Sequence, residues 1–400
     1  MTRRYAPIIG ALATAVLLAS CATAPSAEES VEAMPLPSSP SACVAVDGAG
    51  LAPDAGVLAG VNLDWANQTL AEYTESLGRR PSVAVSFSSF PLNATDTRNI
   101  QAAHAQVRDN GGMLLLTLEP RGGLDTATEK TTDGLARMLD RFNREGVPVI
   151  VRFAHEMNGS WYEWGQQPAA YKAAFRRMAD SIHRLAPGSA TMWAPNYGGG
   201  YPFTGGRHEA RPGTADFAAL DTDRDGTLTG ADDPYAPYYP GDDAVDWVGM
   251  SLYHWGNTYP WGANVVPESG KFAEQLTGNY NGAGGNDLAV PDFYAEYGQE
   301  RDKPVAIPET AALVASGGAG AEELAIKRAW WGQLFDPALH NDYPALKMVN
   351  WFEWDKHEVE VDGTVDWRAG ASPLLAEKYA ADLPGWYRFA AEPAPCTPAY

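Results

Sequence analysis

Four glutamates stand where apolar runs end. Glu119 closes "GMLLLTLEP", Glu156 closes "VPVIVRFAHE", Glu309 lies in "KPVAIPET" and Glu353 in "LKMVNWFEW". Carboxyl groups held in pairs can divide acid and base work. Hydrolysis of a glycosidic bond needs such a pair, one protonated to assist the leaving group and one ionised. The stretch around Glu156, "VRFAHEMNGSWYEWGQ", is the densest, with Arg152, His155, Asn158, Trp161 and Trp164 close by. With 13 Trp and 18 Tyr, the chain has the means to stack on flat, uncharged faces such as sugar rings. Trp161, Trp354 and Trp255 are the leading platform candidates, followed by Trp164, Trp193 and Trp351. Trp65 is also placed to face a cleft, and Asn196 to bond a sugar hydroxyl. The competing reading makes these groups rim ion pairs and packing. It suits Glu119 beside Arg121 best, and then Glu353, which is in reach of the mouth but neighbours Lys356 and His357.

The runs that carry these residues number eight: 56–64, 81–90, 112–120, 147–156, 189–197, 245–253, 303–310 and 346–354. They are continuously apolar rather than alternating, as in parallel strands buried on both faces. Helical stretches separate several of them. "DTRNIQAAHAQVRDNG" begins at a capping Asp96, and "TTDGLARMLDRFNREG" and "PAAYKAAFRRMADSIHRLAPG" also close at glycines. The pattern predicts a (β/α)8 TIM barrel with an elaborated loop between strands five and six. An open doubly wound sheet is disfavoured because no glycine-rich phosphate turn follows the first strand. In a barrel the functional mouth lies at the C-terminal strand ends, and strands four and seven oppose each other there. Glu156 and Glu309 would then flank one bond.

"RFAHEMNGSWYEWG" resembles the fourth-strand signature of glycoside hydrolase family 26, Arg-x-x-His-Glu followed by Asn-Gly-x-Trp and Trp-Gly. "VDWVGMSLY" is similar to that family's sixth strand and "KPVAIPET" to its seventh, the likeness extending over most of residues 56–356. The resemblance implies a retaining β-glycan hydrolase on a (β/α)8 barrel, with Glu156 as acid/base and Glu309 as nucleophile. It further implies that His155 bonds substrate or orients the carboxylates, that Tyr253 donates to Glu309, that Trp161 lines the subsite beside the cleaved bond, and that Arg152 fixes charges beneath it. β-1,4-Mannan is the expected substrate, with endo action. Mixed-linkage glucan and β-1,3-xylan are alternatives, as is a carbohydrate-binding lipoprotein without catalysis.

"DTDRDGTLTGADD", 221–233, has oxygen ligands at positions 1, 3 and 5, glycine at 6 and a carboxylate at 12, as in an EF-hand-type loop. Asp221, Asp223, Asp225 and Asp232 would ligate a structural Ca2+ through side chains and Thr227 through its carbonyl. A solvated acidic loop is the alternative.

The formal net charge of −21 argues against nucleic acid and anionic membrane surfaces and leaves a neutral polysaccharide as the expected partner. Residues 1–20 read as a signal peptide, because Arg3 and Arg4 precede an apolar run too short to span comfortably. "LASC" resembles a lipobox that makes Cys21 the lipidated first residue, and 21–42 reads as a flexible tether. The expected product is an extracytoplasmic, lipid-anchored monomer whose catalytic domain is 43–400. Cys43 and Cys396, one at each end of that domain, are expected to form a disulfide, free thiols being the alternative.

Overall fold

All eight apolar runs become parallel strands: β1 (Val57–Leu63), β2 (Val83–Ser89), β3 (Met113–Glu119), β4 (Val149–Phe153), β5 (Ser189–Trp193), β6 (Trp247–Gly249), β7 (Val305–Thr310) and β8 (Leu346–Glu353). Each pairs with the next, and β8 returns to β1 in a register running from Leu58 opposite Met348 to Leu63 opposite Glu353, which closes the barrel. The computed structural model describes residues 41–43, 48, 51–282, 290–393 and 396–397. The predicted signal peptide, Cys21 and nearly all of the tether lie outside the described residues. Several strands stop short of the predicted bounds. β4 ends at Phe153 and β6 at Gly249, so Glu156 and Tyr253 stand on the loops beyond them.

Helices follow the strands: α1 (Leu70–Leu77), α2 (Ala94–Asn110), α3 (Glu129–Arg144), α4 (Pro168–Leu185), α5 (Ala215–Leu220), α6 (Lys271–Leu276), α7 (Glu323–Leu334), α8 (Pro337–Asp342) and α9 (Pro373–Asp382). Asp96 does not cap α2. Asn93 does, accepting from the amides of Thr95 and Asp96, while the Asp96 carboxylate accepts from the Asn93 amide. The reciprocal pair satisfies donors at both positions, so the helix starts two residues before Asp96.

Strand alternation divides the barrel wall into two faces. Leu58, Val85, Leu115, Ile150, Met192 and Met348 form an apolar plug inside the barrel. Val61, Leu116, Val151 and Val349 point outward into a second core with helix residues such as Ile100, Leu139, Phe175 and Trp330. Nearer the mouth the inward positions turn polar, with Asn62, Thr117, Arg152 and Asn350 fully buried. The plug fixes the strand ends from below, and the polar layer begins the site.

Beyond β8 the chain makes a hairpin, β9 (Asp355–Glu358) with β10 (Gly363–Asp366). At the other end of the domain, Ser41–Ala42 pairs in parallel with Cys396–Thr397. Cys43 is disulfide-bonded. The Cys396 side chain lies outside the described residues.

Candidate active site

Strict alternation along β7 would send Glu309 outward with Ile307. The register with β8 breaks between them: Ile307 lies opposite Val349, whereas Thr310 lies opposite Trp351, so β7 carries one extra residue. Such a bulge re-aims the side chains beyond it. Thr310 therefore faces outward, where its hydroxyl accepts from Trp330 at 2.9 Å, and Glu309 turns into the mouth. Glu156 arrives by a different device. Ala154 and Glu156 both take left-handed backbone angles, φ 50° and 53°, an arrangement costing about 1–3 kcal/mol per residue and concentrated at functional sites. The kink is held by the Glu156 amide donating to the Ala194 carbonyl at 2.9 Å.

The two glutamates line one cavity of about 600 Å3. Glu309 is buried, and its carboxylate receives the Arg152 guanidinium on Oε1 and the Tyr253 hydroxyl on Oε2 at 2.7 Å. Burial and the adjacent Glu309 hold the Tyr253 phenol far above its ordinary range, so it stays a donor. Glu156 is treated differently. Burial, and then the negative charge of Glu309, push its carboxyl up to about 7, against weaker opposition from Arg152, Ser251 and Trp161. The Trp161 indole donates to its Oε2 at 3.2 Å. One carboxyl is thus disposed to hold a proton near neutrality, while the other sits among donors.

Several expected residues meet at this cavity. Trp161, Tyr253, Trp255 and Asn196 line it. Trp161 is 40% exposed and lies over Gly159, where a Cβ would come within 2.3 Å of its ring. That close approach explains the glycine in "NGSW". Arg152 does not reach the cavity: it is fully buried behind Glu309 and spends its second amino group on Ser251 Oγ at 2.6 Å.

Other expectations are corrected. Trp164 is fully buried, stacks on Tyr162 at 4.4 Å and donates to the His155 carbonyl, so it supports the wall and cannot meet a sugar. Trp193 and Trp351 are likewise buried in the outer core. Trp354 is half-buried, stacks behind Phe352, which lines the cavity, and donates to Asn62 at 3.2 Å without lining the cavity itself. Trp65 turns its indole to the Val85 carbonyl and does not line the cavity. His155 is buried among Phe87, Tyr162 and Trp164, and burial beside Arg152 keeps it neutral. It packs beneath the site and does not line the cavity. Glu119 is paired with Arg121 at 2.7 Å. Glu353, on the outward parity of β8, accepts the amides of Ala369 and Gly370 and does not line the cavity.

Three contributors had no role assigned from sequence. Ser251 is buried, lines the cavity and hydrogen-bonds both Arg152 and Glu156. Asn158 clamps the end of β5 through the Asn196 amide and carbonyl, both at 2.9 Å. The β9–β10 hairpin brings Lys356 and Glu358 to the rim, and Trp367 just beyond it anchors Glu358 at 2.8 Å. The only sequence signal was the position of Ser251 and Asn158 within recognised motifs.

In the long loop after β5, oxygens of Asp221, Asp223 and Asp225 lie within 4.8 Å of one another. Their number and type fit a hard cation such as Ca2+. Asp232 does not join them. It is buried and accepts from the amides of Thr222 at 2.6 Å and Thr229 at 2.9 Å, closing the loop by hydrogen bonds. Thr227 gives its amide and hydroxyl to Asp225.

Residues 120–194 match the model of "Glycosyl hydrolase family 26", a segment that contains Glu156 and ends before Glu309. Endoglucanase H of Acetivibrio thermocellus is 23% identical over 321 residues, 78% of this chain and 28% of that protein. A mannan endo-1,4-beta-mannosidase of Bifidobacterium adolescentis is 26% identical over 142 residues, 34% of this chain and 12% of its own length. The chain therefore spans only a fraction of the curated relatives it matches. Among solved structures, a modular endo-beta-1,4-mannanase from Cellulomonas fimi has the same fold at a TM-score of 0.52, with 17% identity, covering 89% of this chain and 81% of that one.

Proposed function

We propose that this chain, which carries the family 26 glycosyl hydrolase signature on residues 120–194, hydrolyses internal bonds of a neutral β-linked glycan with retention of configuration. One observation carries the reading: Glu156 and Glu309 are brought to one cavity from opposed strands, Glu156 with its carboxyl pushed up to about 7 and Glu309 held between Arg152 and Tyr253. In the first step Glu309 attacks the anomeric carbon while Glu156 delivers its proton to the departing oxygen. In the second, Glu156 takes a proton from water, which releases the sugar from Glu309. Arg152 and Tyr253 hold the Glu309 carboxylate in place, and Trp161 orients Glu156. β-1,4-Mannan is the favoured substrate, supported by the two mannan-degrading relatives. Mixed-linkage glucan is the second reading, supported by the likeness to an endoglucanase.

The test is hydrolysis of mannan, galactomannan, mixed-linkage glucan and β-1,3-xylan, with the anomer of the fresh product read by NMR. Glu156→Gln and Glu309→Gln are each expected to reduce kcat by several orders of magnitude. An inverted product would overturn the nucleophile, and a wild type inert on every glycan would favour a carbohydrate-binding lipoprotein.

The reading extends to a structural Ca2+ at Asp221, Asp223 and Asp225, ordering the loop after β5 without entering the reaction. Chelation is expected to lower the melting temperature and added calcium to restore it. Calorimetry without calcium uptake would remove the ion. The N-terminal reading completes the proposal as an extracytoplasmic monomer anchored by a lipid on Cys21, which incorporation of labelled fatty acid at that residue would test.

A further inference from the structure

The cavity extends beyond the two glutamates to a pair of aromatic side chains that the mechanism does not use. Tyr259 and Trp261, on the loop after β6, line the same cavity as Glu156 and Glu309. Tyr259 is 67% exposed, an unusual cost for so large a ring, and it meets Trp261 edge-on at 5.8 Å. The loop that bears them is tied down. Gly256, at φ 140°, lies under Trp261, where a Cβ would come within 3.5 Å of the ring, and Gly262, at φ 115°, lies against Val361 of the β9–β10 turn. Asn264 bonds the Ala315 amide at 2.7 Å and the Ala315 and Gly318 carbonyls, and its own carbonyl accepts from Ala321. The loop after β7 is in turn paired to β10, with the Ser316 amide on the Thr364 carbonyl at 2.9 Å. Loops after β6, β7 and β8 are therefore stitched into one wall that presents the two rings to the cavity.

We infer that Tyr259 and Trp261 form a distal binding platform for a further sugar ring of the glycan chain whose bond lies at Glu156 and Glu309. The inference rests on the proposed function. Exposed aromatic faces take the C–H faces of a neutral pyranose, and the strong negative charge of the chain disfavours an anionic occupant. Because the loop is fixed beforehand, little ordering entropy opposes the contact. The platform makes the enzyme prefer long chains, since a short substrate filling only the reacting end cannot touch it.

The experiment compares Tyr259→Ala, Trp261→Ala and the double variant with wild type on linear oligosaccharides of increasing length, taken from whichever glycan the wild type cleaves. The expected result is a loss of about tenfold in kcat/KM on long oligosaccharides, equal to about 1.4 kcal/mol, with rates on the shortest cleaved one unchanged. An equal loss at every length, or none at any, overturns the platform while leaving the proposed function intact. A wild type that binds these oligosaccharides without cleaving them overturns the proposed chemistry instead. The same length comparison is then read as Kd by calorimetry. A wild type that neither binds nor cleaves any of them overturns both.

Discussion

Removing the Ser251 hydroxyl asks whether Glu156 is the acid. Ser251 accepts from Arg152 Nη2 at 2.6 Å and reaches the Glu156 carboxyl, so one oxygen links the group that holds Glu309 to the proposed acid. A hydroxyl donating to a carboxylate favours its ionised form, which opposes the upward push that burial and Glu309 exert on Glu156. A hydrogen bond to a charged group is worth roughly 1.5–3 kcal/mol, and about 1.4 kcal/mol moves a pKa by one unit. Ser251→Ala should therefore raise the Glu156 pKa by about one to two units. The assay is kcat/KM against pH. In wild type, activity should fall on the alkaline side as Glu156 loses its proton near 7. In Ser251→Ala that descent should move to higher pH even though the maximum drops, because Arg152 has lost a partner. A descent that stays in place while activity falls uniformly would refute the reasoning and reduce Ser251 to a packing partner of Arg152. Circular dichroism melts separate either result from unfolding.

Glu353 gives a prediction about stability. Burial pushes its carboxyl from the ordinary 4.5 up to about 7, so the folded state holds the proton more tightly than the unfolded chain. Its contribution is full below about 4.5 and is lost as pH rises through about 7, a difference of about 3 kcal/mol. Glu353→Gln, which cannot ionise, should make the decline in urea-unfolding stability between pH 4.5 and 7 shallower, leaving the part that Glu156 contributes, and an unchanged slope would show that Glu353 does not titrate there. Gly159→Ala puts a Cβ at 2.3 Å from the Trp161 ring. The indole must leave Glu156, so kcat/KM should drop by one to two orders of magnitude with little change in melting temperature, and an unaltered rate would remove Trp161 from the site.

The architecture was legible because its signal is repeated. Eight apolar runs at helix-sized intervals leave few ways to bury both faces, and an error at one strand end does not disturb the count. The site was legible only where local chemistry is dense. Glu156, Trp161 and Asn158 share one short motif, and their contacts are local or reach the neighbouring strand. Within that motif, however, residue type did not reveal which tryptophan faces outward. Trp161 is exposed because Gly159 leaves room beneath it, while Trp164 is drawn inward to stack on Tyr162.

Glu309 marks the limit of a pattern argument. Alternation along "VAIPET" places it outward with Ile307, and only the extra residue in β7 relative to β8 turns it to the cavity. A bulge is a property of two strands in register, so no reading of β7 alone contains it. Glu353 shows the converse: it ends an equally apolar run in unbroken register with β1, faces outward, and stays among amides. The two glutamates differ less in local sequence than in the pairing of their strands. The same holds for Ser251, which acquires its place only when β4 brings Arg152 beside it. Chemistry in this barrel is therefore decided where strand pairing breaks from its regular course, at the β7 bulge and at the left-handed turn after β4. Substitutions that restore regular pairing at either point should silence the site while sparing the fold.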